Sequence, residues 1–201
     1  VRGEVMTGIS KNTLRTELRA ARRTYVDALP DATRALLFLR PPRPVTDMIP
    51  QGATIGLYRA TPNEAPTASY ARFFYEAGHR IALPRFTSRD SAMEFATFSD
   101  PFGETDLESG PYQMAQPEIS APAVTPDVLF VPLVGFTDDG HRLGQGGGHY
   151  DRWFEANPGV TAIGLAWDCQ LVDTLPLEAH DHHLAAVVTP TRLYGPFEDT
   201  P

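Results

Sequence analysis

Apolar side chains recur at Leu14, Leu18, Ala21, Tyr25 and Leu29, in steps of three or four, with charge between them. That spacing predicts an amphipathic helix over residues 11–28. A shorter helical pattern follows at 32–39 and stops before the proline-rich linker PPRP. ATIGLY (53–58) is short, partly β-branched and bounded by glycine and proline, which predicts a strand. TASYARFFYEA (67–77) reads as a helix ending at Gly78, IALP (81–84) as a strand, and SAMEFATF (91–98) as a half-exposed strand. The run VLFVPLVGF (128–136) is almost continuously apolar, as a strand buried on both faces should be. A helix over 149–156 and strands at TAIGLA (161–166) and AAVVT (185–189) complete the pattern.

Strands alternating with helices imply an α/β layered sheet, mostly parallel, in one Rossmann-like domain spanning 1–201, with 1–10 flexible. Ligands of such sheets sit beyond the carboxyl ends of the strands. The stretch 99–126, rich in Pro, Gly, Glu and Asp, reads as a long irregular loop, and loops of that length are often functional. Trp153, Phe154, Trp167 and the aromatics at 73–75 are expected in the core.

A formal net charge of −8 argues against a general nucleic-acid binder, so any anion must be met by a local cluster of positive charge. No apolar run approaches the ~20 residues that span a bilayer. The single cysteine, Cys169, fits a reducing compartment, and a cytoplasmic monomer without membrane or nucleic-acid partners is the expectation. Whether the native start is Met6 is not legible.

RLGQGGGHYDRW (142–153) concentrates glycine at Gly144, Gly146, Gly147 and Gly148. A Walker loop needs Lys-Ser or Lys-Thr after its last glycine, and here His149-Tyr150 follows. The dinucleotide fingerprint fails as well, because its third glycine would be His149. The shared physics remains: bare amides and a helix N-terminus can receive an anion. A tight turn needing positive φ is the plainer alternative. Asp151 at the helix start could be a cap, or it could share a magnesium ion with phosphate oxygens. Lys11, Arg15, Arg19 and Arg22 fall at spacings of four, four and three, on one helical stripe. With Arg23 they make five of the chain's 17 basic residues, against the single acid Glu17 in the same span. Such a stripe is either a solvated face or the second half of a polyphosphate site.

PDVLFVPLVGFTDDGHRLGQGGGHYDRWF closely resembles the signature of the 5-formyltetrahydrofolate cyclo-ligase family, also called methenyltetrahydrofolate synthetases. KNTLR (11–15) with Arg22, IGLYRATPNEAPT (55–67), IALPRF (81–86) and LPLEAHDHHLAAVVT (175–189) resemble further family segments. The resemblance implies ATP- and magnesium-dependent closure of 5-formyltetrahydrofolate to the 5,10-methenyl form, with phosphorylation of the formyl oxygen. It implies that Lys11 and Arg15 contact ATP phosphates. It makes Arg142, Gly144, Gln145, Gly146, Gly147, Gly148, His149, Tyr150 and Asp151 the nucleotide segment, and Asp151 and Asp181 the magnesium ligands. Glu64, and less directly Tyr58 and Arg85, fall on the folate side, with Tyr150 bordering the reaction. His149 departs from the family's first tyrosine and Gln145 from a frequent basic residue.

Three other readings stay open. His180, Asp181, His182 and His183 carry zinc-ligand chemistry without a standard zinc spacing. Cys169 could be a nucleophile or a small buried residue. The chain could also be a non-catalytic ATP- or folate-binding relative, or a sugar-phosphate or acyl-transfer enzyme on a similar scaffold.

Overall fold

A computed structural model describes residues 10–178 and 181–197. The first helix, α1 (Lys11–Ala28), starts where the Ser10 hydroxyl accepts the Thr13 amide at 3.1 Å. Two short helices follow, α2 (Asp31–Arg34) and α3 (Arg43–Asp47), then β1 (Thr54–Gly56), α4 (Ala68–Glu76), β2 (Arg80–Arg85) and β3 (Glu94–Phe98). A hairpin of β4 (Leu107–Ser109) and β5 (Ala115–Pro117) precedes β6 (Val128–Pro132). A second small ribbon joins β7 (Gly135–Phe136) to β8 (Arg142–Leu143). The chain then forms α5 (His149–Ala156), β9 (Thr161–Leu165), β10 (Ala186–Val188) and β11 (Leu193–Tyr194).

Seven strands make one sheet in the order β11-β10-β9-β6-β1-β2-β3. The pairs β10–β9, β9–β6, β6–β1 and β1–β2 are parallel, and the edges β2–β3 and β10–β11 are antiparallel. The α/β class and its mostly parallel sheet are therefore as the strand–helix pattern predicts. β6 is buried along its whole length, and its side chains alternate between two packing layers. Val128 and Phe130 join Val26, Tyr70 and Phe74 under α1 and α4, whereas Leu129 and Val131 join Trp153 and Phe154 under α5. Each such apolar side chain contributes roughly 1.5–3 kcal/mol when fully buried.

Four expectations are corrected. The helical pattern at 32–39 yields only α2, because Phe38 takes a left-handed backbone (φ 56°) that seats its ring on Trp167 and Tyr70. The stretch 99–126 is not wholly irregular; it carries the β4–β5 hairpin. The apolar run 128–136 is not one strand: β6 ends at Pro132, Gly135–Phe136 pairs with β8 as β7, and the glycine run leaves that ribbon. Tyr75 is exposed, with its ring against Phe102 at the surface, while Phe74, Trp153, Phe154 and Trp167 are core. Residues 1–9, including Met6 as a native start and most of the expected flexible segment, lie outside the described residues. Among the described residues no helix is long and apolar enough to cross a membrane.

Strand order reverses at β1, whose neighbours β2 and β6 lead to opposite halves of the sheet. This is the switch point at which doubly wound sheets open a crevice at their carboxyl ends. The segment leaving β1 carries Tyr58, Thr61 and Glu64; the one leaving β6 leads to the glycine loop. The site lies between them.

Candidate functional site

A cleft of about 520 Å3 occupies the switch point. The stripe of α1 forms one wall. Lys11 Nζ donates to Asp181 Oδ2 at 2.8 Å and to Glu178 Oε2 at 2.9 Å. Burial alone lowers the Lys11 pKa, but those two carboxylates outweigh it, and the ammonium is held more firmly charged than usual. Arg15 Nε donates to the Gly144 carbonyl at 2.9 Å, and Arg19 Nη2 to the Gln145 carbonyl at 2.7 Å. The helix thus grips the glycine loop through two guanidiniums.

The loop has the backbone that glycine permits. Gly146 has φ 101° and Gly148 φ 63°, both in the region L side chains rarely adopt. A Cβ at Gly146 would stand 3.4 Å from Arg15 Nε, so side chains here would fill the space between loop and helix. Gly148 is the N-cap of α5 and offers no side-chain cap, leaving the first amides of the helix available to an anion. The positive φ values at Gly146 and Gly148 are those of the turn reading, and the same geometry leaves the helix start open to an anion.

Across the cleft, Glu64 accepts the Thr61 amide at 2.8 Å on Oε2 and the Gln145 side-chain amide at 2.6 Å on Oε1. Tyr58 is buried, with its hydroxyl donating to the Ala65 carbonyl at 2.5 Å. Burial, then Glu64, raises its phenol pKa well above the ordinary value. Tyr150 is half-buried, yet burial of its hydroxyl and then the Glu64 charge likewise raise its pKa, against a lowering by Arg142. Both phenols are neutral hydrogen-bonding groups at neutral pH. Phe86, Met93, Tyr112 and Met114 complete an apolar wall. Phe86 packs edge-on against Tyr112 (4.9 Å) and His149 (5.0 Å). Burial and the Arg152 charge lower the His149 pKa, so this ring is neutral.

Asp151 Oδ1 pairs with Arg142 Nη2 at 2.5 Å, and Arg142 Nη1 donates to the His182 carbonyl at 2.7 Å. Arg142, 3% exposed, therefore ties the glycine helix to the segment before β10 rather than reaching freely into the cleft. Asp151, Asp181 and Glu178 all line the cleft. Among the described residues no three His, Cys, Asp or Glu side chains form a metal cluster by themselves. Magnesium commonly takes one or two carboxylates and completes its shell with phosphate oxygens and water. The Oδ2 atom of Asp151, which makes no hydrogen bond among the described residues, is a fitting ligand on those terms.

Lys11, Arg15, Tyr58, Glu64, Arg142, Tyr150, Asp151, Asp181 and the 144–149 loop thus meet in one cleft. Arg85 does not. Its guanidinium is 4% exposed, bonded to Glu94 (2.9 Å) and to the carbonyls of Glu118 (2.7 Å) and Ala121 (2.9 Å), where it pins the strand edge to the loop after β5. Tyr112, Met114 and Gln116 were hidden in the segment read as irregular, and no residue periodicity marks them as cleft residues. His182 stacks on Phe154 at 4.0 Å, and His183 donates to the Asp139 carbonyl at 2.6 Å, so these two have packing roles; His180 lies outside the described residues. Cys169 is half-buried, and burial raises its pKa, the opposite of what an activated nucleophile needs.

A sequence profile described as the 5-formyltetrahydrofolate cyclo-ligase family matches residues 7–190. The chain belongs to that family. It is therefore an enzyme, a ligase of folate metabolism. The cyclo-ligase of Escherichia coli K12 is 32% identical over 147 residues, covering 70% of this chain and 80% of its own. That of Mycolicibacterium smegmatis is 27% identical over 196 residues, covering 93% and 97%. The NMR structure of Aquifex aeolicus 5,10-methenyltetrahydrofolate synthetase superposes with a TM-score of 0.72 at 20% identity, covering 96% of each chain. The Mycoplasma pneumoniae synthetase superposes with a TM-score of 0.64 at 23% identity, covering 89% of this chain and 98% of its own. These two likenesses are of fold, and the seven-stranded cyclo-ligase sheet described above is that fold.

Proposed function

We propose that this cyclo-ligase converts 5-formyltetrahydrofolate to 5,10-methenyltetrahydrofolate at the expense of ATP and with magnesium, releasing ADP and phosphate. The observation that carries the reading is the convergence, on one cleft, of the α1 cations, a glycine loop opening a helix, and a wall of Glu64, neutral phenols and apolar rings. A phosphate-binding half thus faces a half suited to a flat aromatic substrate.

Closing the ring requires the formyl oxygen to leave, and oxide is a poor leaving group. The oxygen's electron pair attacks the γ-phosphorus, a P–O bond forms, and the bond to ADP breaks. The nitrogen at position 10 then attacks the activated formyl carbon. The C–O bond breaks, its electron pair leaves with phosphate, and the departing phosphate takes the proton from that nitrogen. Such transfer needs positioning and charge neutralisation more than a covalent nucleophile.

In this account Lys11 and Arg15 neutralise the terminal phosphates, and Arg142 acts by fixing Asp151. The amides of Gly144, Gln145, Gly146, Gly147 and Gly148, continued by His149, hold phosphate oxygens. Asp151 and Asp181 are the side chains that would hold magnesium, which would supply further charge neutralisation to the phosphates. Because Asp181 is engaged by Lys11, nucleotide entry requires that contact to be shared or exchanged. Glu64 orients the folate ring by accepting its N–H groups, Tyr58 supports that turn from beneath, and neutral Tyr150 donates to the reacting oxygen. Arg85 has only a supporting role. The same proposal sets the chain in the cytoplasm as a monomer, in keeping with its single cysteine and acidic charge.

The test is spectroscopic: 5-formyltetrahydrofolate, ATP and magnesium should produce the methenyl-folate absorbance, and omission of ATP should abolish it. No absorbance change with all three present would refute the proposal.

A further inference from the structure

Four cations of α1, Lys11, Arg15, Arg19 and Arg22, cover ~16 Å of helix axis at 1.5 Å per residue, and all but Arg19 line the cleft. The first three end on strong partners: the acids at 178 and 181, the Gly144 carbonyl and the Gln145 carbonyl. Arg22 does not. It is 7% exposed, lines the cleft, and forms no ion pair with any described residue. Its Nη1 lies 3.3 Å from the Leu133 carbonyl, but that oxygen already accepts the Gln170 amide at 2.7 Å. Its Nε is buried with no hydrogen-bond partner among the described residues.

The one acid whose field notably favours its charge, Glu64, has both oxygens committed to Thr61 and Gln145. Tyr58, also nearby, is neutral for the reason given above. An arginine stays protonated in a protein, so this is a buried charge without a counter-ion. Such a group is destabilising relative to an apolar residue of similar size. Folds retain such violations at functional sites, where a ligand completes the pairing.

The missing partner is an anion that enters the cleft at its inner end. Arg15 and the glycine loop serve the outer, nucleotide end; Arg22 is seven residues further along α1, against the Leu133 carbonyl just beyond β6, near Glu64 and Tyr58. We propose that Arg22 binds the phosphoryl group at the inner end of the cleft, on the formyl oxygen after transfer and as inorganic phosphate after ring closure. This rests on the function proposed above and adds no atom to its balance, since Arg22 keeps its proton throughout. Its orphan Nε and its Nη2, for which no hydrogen bond is made among the described residues, share one edge of the guanidinium, the pair of N–H groups that a phosphate accepts.

Melting curves and steady-state kinetics of the parent, Arg22→Met and Arg22→Lys test the assignment. Without ligand, Arg22→Met should melt at or above the parent, because it removes an uncompensated buried charge. Inorganic phosphate should raise the melting temperature of the parent and leave that of Arg22→Met unchanged. The kcat of Arg22→Met should fall about 100-fold while KM for ATP stays within about threefold, the pattern of a contact made after the ground state. Arg22→Lys should recover part of kcat, and it serves alone if Arg22→Met does not fold. A lower ligand-free melting temperature in a folded Arg22→Met would mark Arg22 as a packing residue and overturn the proposal. So would an equal phosphate shift in both proteins, no shift in the parent, or a loss confined to KM for 5-formyltetrahydrofolate. If the parent itself shows no ATP-dependent turnover, the proposed function fails; if it turns over and any of these results appears, only the Arg22 assignment fails.

Discussion

Gln145 donates its side-chain amide to Glu64 Oε1 at 2.6 Å while its own backbone carbonyl is held by Arg19 at 2.7 Å. One residue of the glycine loop therefore bridges the helix that carries the cations and the turn that carries Glu64. Gln145→Glu sets a second carboxylate against Glu64. The loss of a hydrogen bond to a charged group, about 1.5 kcal/mol, should lower kcat/KM for 5-formyltetrahydrofolate roughly tenfold. Steady-state kinetics with folate varied check this, and parent-like values in Gln145→Glu would show the bridge to be incidental.

Lys11 and Arg15 should matter to ATP far more than to folding. The Lys11–Glu178 contact is substantially exposed on the glutamate side, and such pairs contribute about 1 kcal/mol or less. Lys11→Ala and Arg15→Ala are expected to lower kcat/KM for ATP by at least about tenfold, the equivalent of ~1.4 kcal/mol of lost binding. Their melting temperatures should stay close to the parent's. Turnover like the parent's at limiting ATP would remove these residues from the nucleotide site.

The Arg142–Asp151 pair separates a structural from a metal role. Arg142→Ala leaves the Asp151 carboxylate and the His182 carbonyl without their buried donor, and should destabilise the fold by about 3 kcal/mol. Asp151→Asn keeps shape and a hydrogen-bonding oxygen but removes the charge. Activity titrated with magnesium should shift to higher concentrations in Asp151→Asn, and an unchanged titration would count against Asp151 as a ligand.

His149 gives a pH signature. Burial and Arg152 hold its folded pKa below the ordinary 6.5. Between that folded value and 6.5 the unfolded chain binds more protons, so stability rises with pH across this window. The contribution is fully present above 6.5 and is lost as pH falls through the folded value. His149→Phe should flatten this part of the melting-temperature profile, measured from pH 7 down to 5. Parallel profiles for the two proteins would exclude it.

Long, patterned elements were legible in the chain. The 3.6-residue stripe at Leu14, Leu18 and Tyr25 gave α1, and the apolar run at 128–132 gave β6, because each is dictated by its own burial. Phe38 shows where local pattern fails: its neighbours favour helix, but the ring finds a better place on Trp167 by breaking it. The β4 and β5 strands are three residues each and largely polar, and are defined by their pairing with each other. Their contribution to the cleft, Tyr112 and Met114, could not be read for the same reason. The resemblance puts Arg85 on the folate side, yet within β2 its guanidinium is held by Glu94 and by the carbonyls after β5. The stripe pattern left Arg22 open between a solvated face and a polyphosphate site, and its burial against the Leu133 carbonyl is visible only in the fold.

The phosphate cradle itself is tested most directly by a crystal structure with magnesium and a non-hydrolysable ATP analogue. The triphosphate should lie between the Gly146–Gly148 amides and the guanidinium of Arg15, with Lys11 turned from Asp181 or shared with a phosphate oxygen. An analogue bound elsewhere, with the loop untouched and Lys11 still held only by Asp181 and Glu178, would contradict the account.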